Sequence, residues 1–453
     1  MPSIGSAASA TRAYTRVPAP ARVAIAVLGA AALGTAAWLG VRALRPYDQP
    51  ATTRNAADGA ATTGTSTPRP TTDPVVAPSR RSPVEPPTST HRVETPTPTD
   101  PVEPPPRTQP GGQLQQLVKT GPRAATSASD PQAFHDLLAA DGPGWAAADG
   151  TLSIPLPDGQ NLWLFGDTIV RLPGGADSSD FVRNTAVLQD GATATTLTTG
   201  TASDADDFLK PAAPDEWYWP GSGIAQGNEL VLFMSRIHKT ASGAPGWNFE
   251  GVGSDMLVLD LHDLSVKDRI AMPGGTGTDW GSAVVESGNH TYVYGFRGYA
   301  DEPFRRESLL ARTTRGELGH AAFEYWDGTG WSRDPERAAP VANGLSNSYS
   351  VFTLPDGRFA MANQEPMFGT KLRIATADRP QGPWSRWTVV DDGPPLTSDR
   401  ISYNAQVHPQ FTADGHLLAS WNMNRKDAQL PGRDELDDYR PVFRSIDIER
   451  LDG

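Results

Sequence analysis

From about residue 144 onward, short apolar runs alternate with polar turns, and the runs are rich in Trp, Tyr, Val and Thr. That pattern predicts strands, with little helical periodicity anywhere. Five times a polar turn divides two such runs: TLSIPLPDGQNLWLFGD, SGIAQGNELVLFMSR, GSAVVESGNHTYVYGFR, SYSVFTLPDGRFAMANQ and NAQVHPQFTADGHLLASWN. Each predicts a hairpin. The turn centres Asp158, Gly227, Gly288, Asp356 and Asp414 are spaced 69, 61, 68 and 58 residues apart, and further strand pairs fill the intervals. A unit of roughly sixty residues holding about four strands is what a propeller blade requires. The expected fold class is therefore all-β, a five-bladed β-propeller. A β-sandwich is also strand-rich but does not call for a five-fold recurrence of one hairpin. Ahead of the strands, Asp130 as cap, Pro131 as first helical residue and Gly142 beyond the end predict one short helix over 131–140.

Residues equally distant from a hairpin's turn centre face each other across the ladder. Counting nine residues each way pairs Asp149 with Asp167, Tyr218 with Arg236, Asp279 with Arg297, Asn347 with Glu365, and Ala405 with Met423, the last becoming Asn404 with Asn424 if that loop is longer. Nearly every unit thus offers a polar residue at the same two places. In a propeller these strand ends converge on the axial funnel. Two carboxylates paired across one ladder repel, so at least one is expected to hold a proton near neutrality. Glycoside hydrolysis needs such a pair, one acid for the leaving oxygen and one carboxylate to attack or to activate water.

The N-terminal third reads differently. Arg12, Arg16 and Arg22 precede an uncharged run from Val23 to Val41, and Arg42 and Arg45 follow. The expectation is a cytoplasmic tail over 1–22 and a transmembrane helix or signal anchor over 23–41, with everything beyond it exported. A cleaved signal peptide is the rival reading, and it exports the same remainder. Residues 45–124 are rich in Pro, Thr, Ser and Ala and predict a disordered, partly polyproline II linker. The folded domain is then expected over 125–453. The protein would sit at the cell membrane as a single-pass chain with this domain outside.

Cysteine is absent, so a hydrophobic core must hold an exported domain together without disulfides. The whole chain carries a net charge of −13; the first 124 residues hold 13 basic against 7 acidic groups, which leaves −19 from Ala125 onward. Clustered positive charge is what phosphate binding needs, so a nucleic-acid partner is excluded. An uncharged polysaccharide suits this surface.

The stretches ADGTLSIPLPDGQNLWLFGDT, FVRNTAVL, WYWPGSG, DWGSAVV, ATADRPQGPW and NAQVHP resemble the bacterial families called domain of unknown function 4185 and domain of unknown function 5005, over about residues 142–450. Members of the first are five-bladed propellers, and some are endo-D-arabinanases of glycoside hydrolase family 183. The resemblance implies an exported furanosidase. It carries the catalytic aspartates over to Asp149 and Asp167.

The remaining candidates are sugar-binding. Trp219, in the aromatic cluster Trp217 to Trp219, offers a face for a sugar ring. Asn184, Arg236, Asp279, Glu365, Asn404 and His408 are expected to bind hydroxyls. Each has a plainer reading: a salt bridge of Asp279 with Arg297, a loop-shaping Glu365 before its proline, a core His408. No cofactor is called for, no metal site is assigned, and a structural calcium stays compatible. Neither H-E-x-x-H, G-x-S-x-G nor a phosphate loop is present. A sialidase-like propeller lacks its Asp-box repeats. Two functions stay open, a tethered glycosidase and a non-catalytic glycan-binding propeller.

Overall fold

The computed structural model describes residues 114–448, apart from 175–177, 242–247, 276, 300–301, 321, 367–368, 427–430 and 432. The anchor expected over 23–41 and the linker up to residue 113 lie outside the described residues. Among the described residues no helix is long and apolar enough to cross a membrane.

Strand β1 (Gln115–Thr120) and helix α1 (Pro131–Ala139) come first, then β2 (Gly144–Ala148), β3 (Leu152–Pro155), β4 (Asn161–Phe165), β5 (Thr168–Arg171), β6 (Ser179–Val182), β7 (Thr185–Asp190), β8 (Thr193–Thr201) and β9 (Asp204–Asp206). They form one sheet in the order β1-β8-β7-β4-β3, with β9 beside β8, and a small sheet β2-β5-β6. Next, β10 (Glu216–Gln226), β11 (Glu229–Lys239), β12 (Phe249–Asp260) and β13 (Val266–Ala271) pair in chain order. So do β14 (Thr278–Ser287), β15 (His290–Tyr299), β16 (Glu302–Thr314), β17 (Glu324–Trp326) and β18 (Trp331–Ser332), with β19 (Ala342–Asn343) on β16. The last two sheets are β20 (Tyr349–Thr353), β21 (Phe359–Gln364), β22 (Leu372–Ala377) and β23 (Thr388–Asp391), then β24 (Arg400–Ala413), β25 (His416–Arg425) and β26 (Val442–Asp447). All these ladders are antiparallel, and the domain is all-β and propeller-like.

Near-continuous burial along strands such as β4, β21 and β25 packs each sheet against its neighbours. Leu164 of β4 packs with Leu230 and Leu257 of the second large sheet. Phe233 meets Val293 and Leu309, Tyr294 meets Tyr349 and Met361, and Ala360 meets Ala405 and Trp421. A further cluster joins the last sheet to the first: Trp163 and Phe165 pack with Phe411, Leu418, Phe443 and Phe134 of α1. Each fully buried side chain of this size contributes about 1.5–3 kcal/mol. One cavity of about 420 Å³ is lined by residues of β3, β10, β14, β20 and β24, the strand that opens each of the five hairpins.

The hairpin count meets the register in some places and slips in others. Tyr218 does face Arg236. Asp279 faces Phe296 and Arg297 faces Thr278, because a bulge between Trp280 and Ala283 inserts two extra residues, Gly281 and Ser282. In the last hairpin a bulge between Tyr403 and Gln406 takes Ala405 and Asn404 out of the ladder; Met423 faces Ser402 and Asn424 faces Ile401. The sheet also begins earlier than the composition suggests, since β1 lies within the segment read as linker and pairs residue for residue with β8. Its Leu117 is buried, and the buried Lys119 Nζ donates to the carbonyls of Leu138 and Trp145, the latter at 2.6 Å. A chain starting at Ala125 should therefore lose at least the roughly 1.5–3 kcal/mol of Leu117 burial. Chemical denaturation of that chain against one starting at residue 108 measures it.

Candidate active site

Asp149 and Asp167 occupy a seam in the first hairpin. The ladder of β2 with β5 ends at Ala148 facing Thr168, and that of β3 with β4 resumes at Leu152 facing Leu164. Between them the Gly166 N–H donates to the Asp149 carbonyl at 2.8 Å, and the Asp149 N–H to the Asp167 carbonyl at 3.4 Å. Two glycines make the seam. Gly150 has φ +70°, and a Cβ on Gly166 would lie 2.5 Å from Asp149 Oδ1. The two carboxyl groups thus project from facing positions in a place where neither is solvated: Asp149 is 4% exposed and Asp167 0%.

Their surroundings differ in kind. Asp167 receives the Arg183 guanidinium on Oδ2 at 3.1 Å and the Trp219 indole N–H on Oδ1 at 2.9 Å. Arg183 in turn stacks over Trp217, 4.4 Å from its ring centre. Asp149 has a hydroxyl in place of a cation: Tyr403 donates to its Oδ2 at 3.0 Å. Tyr439 donates to the Asp167 carbonyl at 3.0 Å from a 3-10 turn more than 270 residues away in sequence. Burial first, and then the charge of Asp167, push the Asp149 carboxyl well above the usual carboxylate range, against a smaller pull from the two tyrosines. Burial also raises Asp167, with Arg183 and Trp219 opposing it. One proton shared by such a pair resides on the member without the cation, which is Asp149.

Asp149 and Gly166 lie on the wall of a pocket of about 60 Å³ at the end of the cavity lined by the five strands. Across it are Trp219, Ser235, Asp279, Asn347, Asn404 and others. Three bulges shape this wall at one level: after Pro220 in β10, after Trp280 in β14 and after Tyr403 in β24. Gly281 at φ +96° and Asn404 at φ +50° carry the backbone through two of them. No larger residue fits at Gly281, where a Cβ would sit 2.0 Å from that of Phe233. The Asp279 carboxyl accepts from Ser235 Oγ at 2.5 Å and is pushed up to about 6 by burial.

Of the residues expected to bind sugar, Trp219, Asp279 and Asn404 line the pocket. Asn404 Oδ1 is buried there without a hydrogen-bond partner in the structure. The others are committed elsewhere. Asn184 is spent on backbone, donating to the Leu209 and Tyr218 carbonyls and accepting from the Leu209 N–H. Arg236 turns to Asp255 at 3.4 Å. Glu365 is absent from the pocket wall and folds over Gly369. His408 is a core histidine, bonded to Ser153 Oγ at 2.7 Å and Ser420 Oγ at 2.9 Å, with burial pushing it down to about 3. The expected salt bridge of Asp279 with Arg297 is replaced by a bond from Arg297 to the Ala338 carbonyl at 3.1 Å. Arg183, Tyr403, Tyr439 and Ser235 escape sequence reasoning. Only Arg183 had a signal, as the neighbour of Asn184. Among the described residues no group of His, Asp and Glu is arranged to hold a metal ion.

Two titrations should separate these roles. Because the folded Asp149 holds its proton above the unfolded value, its contribution to stability is lost as pH rises from about 4. Asp149→Asn should gain on wild type by about 1.4 kcal/mol per pH unit until Asp149 ionises. His408 has the opposite sign of effect: the unfolded state takes up a proton near 6.5 and the folded state only near 3. Wild type should therefore lose about 1.4 kcal/mol per unit relative to His408→Gln as pH falls below 6.5. Urea unfolding across pH 4–8 measures both differences.

The fold has a counterpart in a Bacteroides ovatus ATCC 8483 crystal structure carrying a provisional hydrolase name. The two share 19% sequence identity over 77% of this chain and 94% of that one, with a TM-score of 0.57. Looser likenesses are to a Dyadobacter fermentans DSM 18053 protein of unknown function, at 13% identity over 67% and 79% of the two chains and TM-score 0.42. A Podospora anserina alpha-L-arabinofuranosidase in complex with cellotriose stands at 13% identity over 68% and 92%, TM-score 0.36. No curated protein matches the sequence. Of the two families that the sequence resembles, one matches over residues 131–447, and the chain belongs to it: Domain of unknown function (DUF5005).

Proposed function

We propose that the protein is a membrane-anchored, exported glycoside hydrolase that cleaves a cell-wall or environmental polysaccharide, with a furanose polymer such as D-arabinan as the favoured class. The domain is read as a closed five-bladed propeller. Support for closure comes from the ring of apolar clusters that passes from sheet to sheet and from last to first, and from the one cavity shared by five opening strands. The N-terminal anchor is read from the sequence.

A single observation carries the chemistry: two aspartates face each other in a buried seam, one beside a cation and one beside a tyrosine hydroxyl, at the wall of the pocket. In this reading Asp149, protonated at neutral pH, gives its proton to the leaving oxygen while the bond to the sugar carbon breaks. Asp167 remains ionised in its grip of Arg183 and Trp219. The positive charge that develops on the sugar is stabilised by the carboxylates around the pocket. Trp219 offers its ring to the sugar, and the unpartnered Asn404 Oδ1 accepts from a hydroxyl. A strongly acidic domain suits a neutral polymer. The hydrolase name of the Bacteroides ovatus protein of the same fold agrees with this reading.

The test is release of reducing ends from cell-wall arabinans, galactans and plant arabinans by the detergent-solubilised chain. Cleavage of one polymer is expected, reduced by about 10²–10⁴-fold in Asp149→Asn, the range for loss of a general acid. Binding to a polymer without any release, unchanged in the variant, would transfer the protein to the glycan-binding reading.

A further inference from the structure

A carboxylate that serves the attacking side of glycoside cleavage must reach the substrate. Asp167 does not meet this condition: its side chain has no exposed surface, and both its oxygens are already bonded. Asp279 does. It belongs to the third large sheet, yet it lines the same pocket as Asp149. We infer that Asp279 is the second catalytic carboxylate, set on the pocket wall to activate the attacking water, while Asp167 is a positioning residue behind Asp149. This inference rests on the hydrolase reading above.

Geometry places it there. Continued without a break, the ladder that pairs Ala283 with Tyr294 would set Asp279 opposite Gly298. The bulge after Trp280, made possible by Gly281, shifts it to face Phe296 and sends Arg297 to the Ala338 carbonyl. Its contacts are hydroxyls: Ser235 of β11 donates to Oδ2, and Ser254 of β12 lies against it. The hydroxyl of Tyr349 on β20 is the titratable group that feels its charge. Two serine donors fix the carboxylate without supplying a counter-charge, so its basicity is kept. Burial holds it near 6, ionised at neutral pH and matched to a general base. The step balances. Asp279 takes a proton from water as that oxygen bonds the anomeric carbon; the carbon's bond to the leaving oxygen breaks, its electron pair stays on that oxygen, and Asp149 delivers the proton to it. The pocket between the two aspartates, about 60 Å³, has room for that water, which needs about 10–15 Å³.

The experiment uses the solubilised full chain on the polymer that the panel identifies, with sodium azide as an external nucleophile. Asp279→Asn, which keeps an acceptor for Ser235, should lose about 10²–10⁴-fold in kcat with KM changed less than about threefold. Asp279→Gly should regain turnover in azide and yield a glycosyl azide by mass spectrometry. Recovery proves at once that this variant is folded. Azide rescue of Asp167→Gly with none for Asp279→Gly overturns the inference, as does an Asp279→Asn variant with near wild-type kcat; in both cases the hydrolase reading stands. A wild-type chain that cleaves no polymer overturns both together.

Discussion

Two carboxyl groups buried side by side cannot both be charged without a large cost in free energy. Asp149 and Asp167 meet that constraint by division: the Arg183 guanidinium and the Trp219 indole N–H keep the charge on one, and tyrosine hydroxyls receive the other. Much of the neighbourhood follows from it. Arg183 is held in place by stacking on Trp217, Trp219 by edge-on contacts with Trp217 and Phe249, and the C-terminal turn is drawn in so that Tyr439 can reach the Asp167 carbonyl. An arrangement that holds a protonated carboxyl in a protein of neutral surroundings is costly as structure and useful as chemistry.

The repeat was legible because hairpins announce themselves locally. An Asp-Gly or Gly-Asn turn between apolar runs needs no knowledge of distant residues, so five turn centres and the facing of Asp149 with Asp167 could be counted directly. Bulges were not legible by counting. Each spends extra residues on one strand, and the count carried Asp279 to Arg297 and Asn404 to Asn424 when the ladder had already slipped. WPGS and WGS hint at such irregularities, but a glycine in a strand pattern does not say how many residues the bulge consumes. Tyr403 and Tyr439 lay beyond reach for another reason: their partner is more than 250 residues away, and no local pattern ties them to it. Nor could composition separate β1 from the proline-rich segment, since QQLVKT is polar enough to pass for linker.

The same irregularities give the pocket its chemistry. In a regular ladder, side chains at one level point alternately into and away from a face, and polar groups would be dispersed. At one level of β10, β14 and β24 the bulges break this alternation, so that backbone and side chains from separate sheets turn toward one space. Trp219, Asp279 and Asn404 stand directly before or within those breaks. Residues in the regular parts of the strands, such as His408 between its two serines, serve packing.

The strand that opens the domain has a mechanical meaning. β1 holds six successive residues against β8, and Lys119 fastens its last turn to carbonyls of α1 and β2. Trp145, one of those two residues, sits four positions before Asp149 on the strand that leads to it. Any tension that enters at the start of β1 is therefore shared among a whole ladder and a buried cation before it can disturb the buried Asp149 carboxyl.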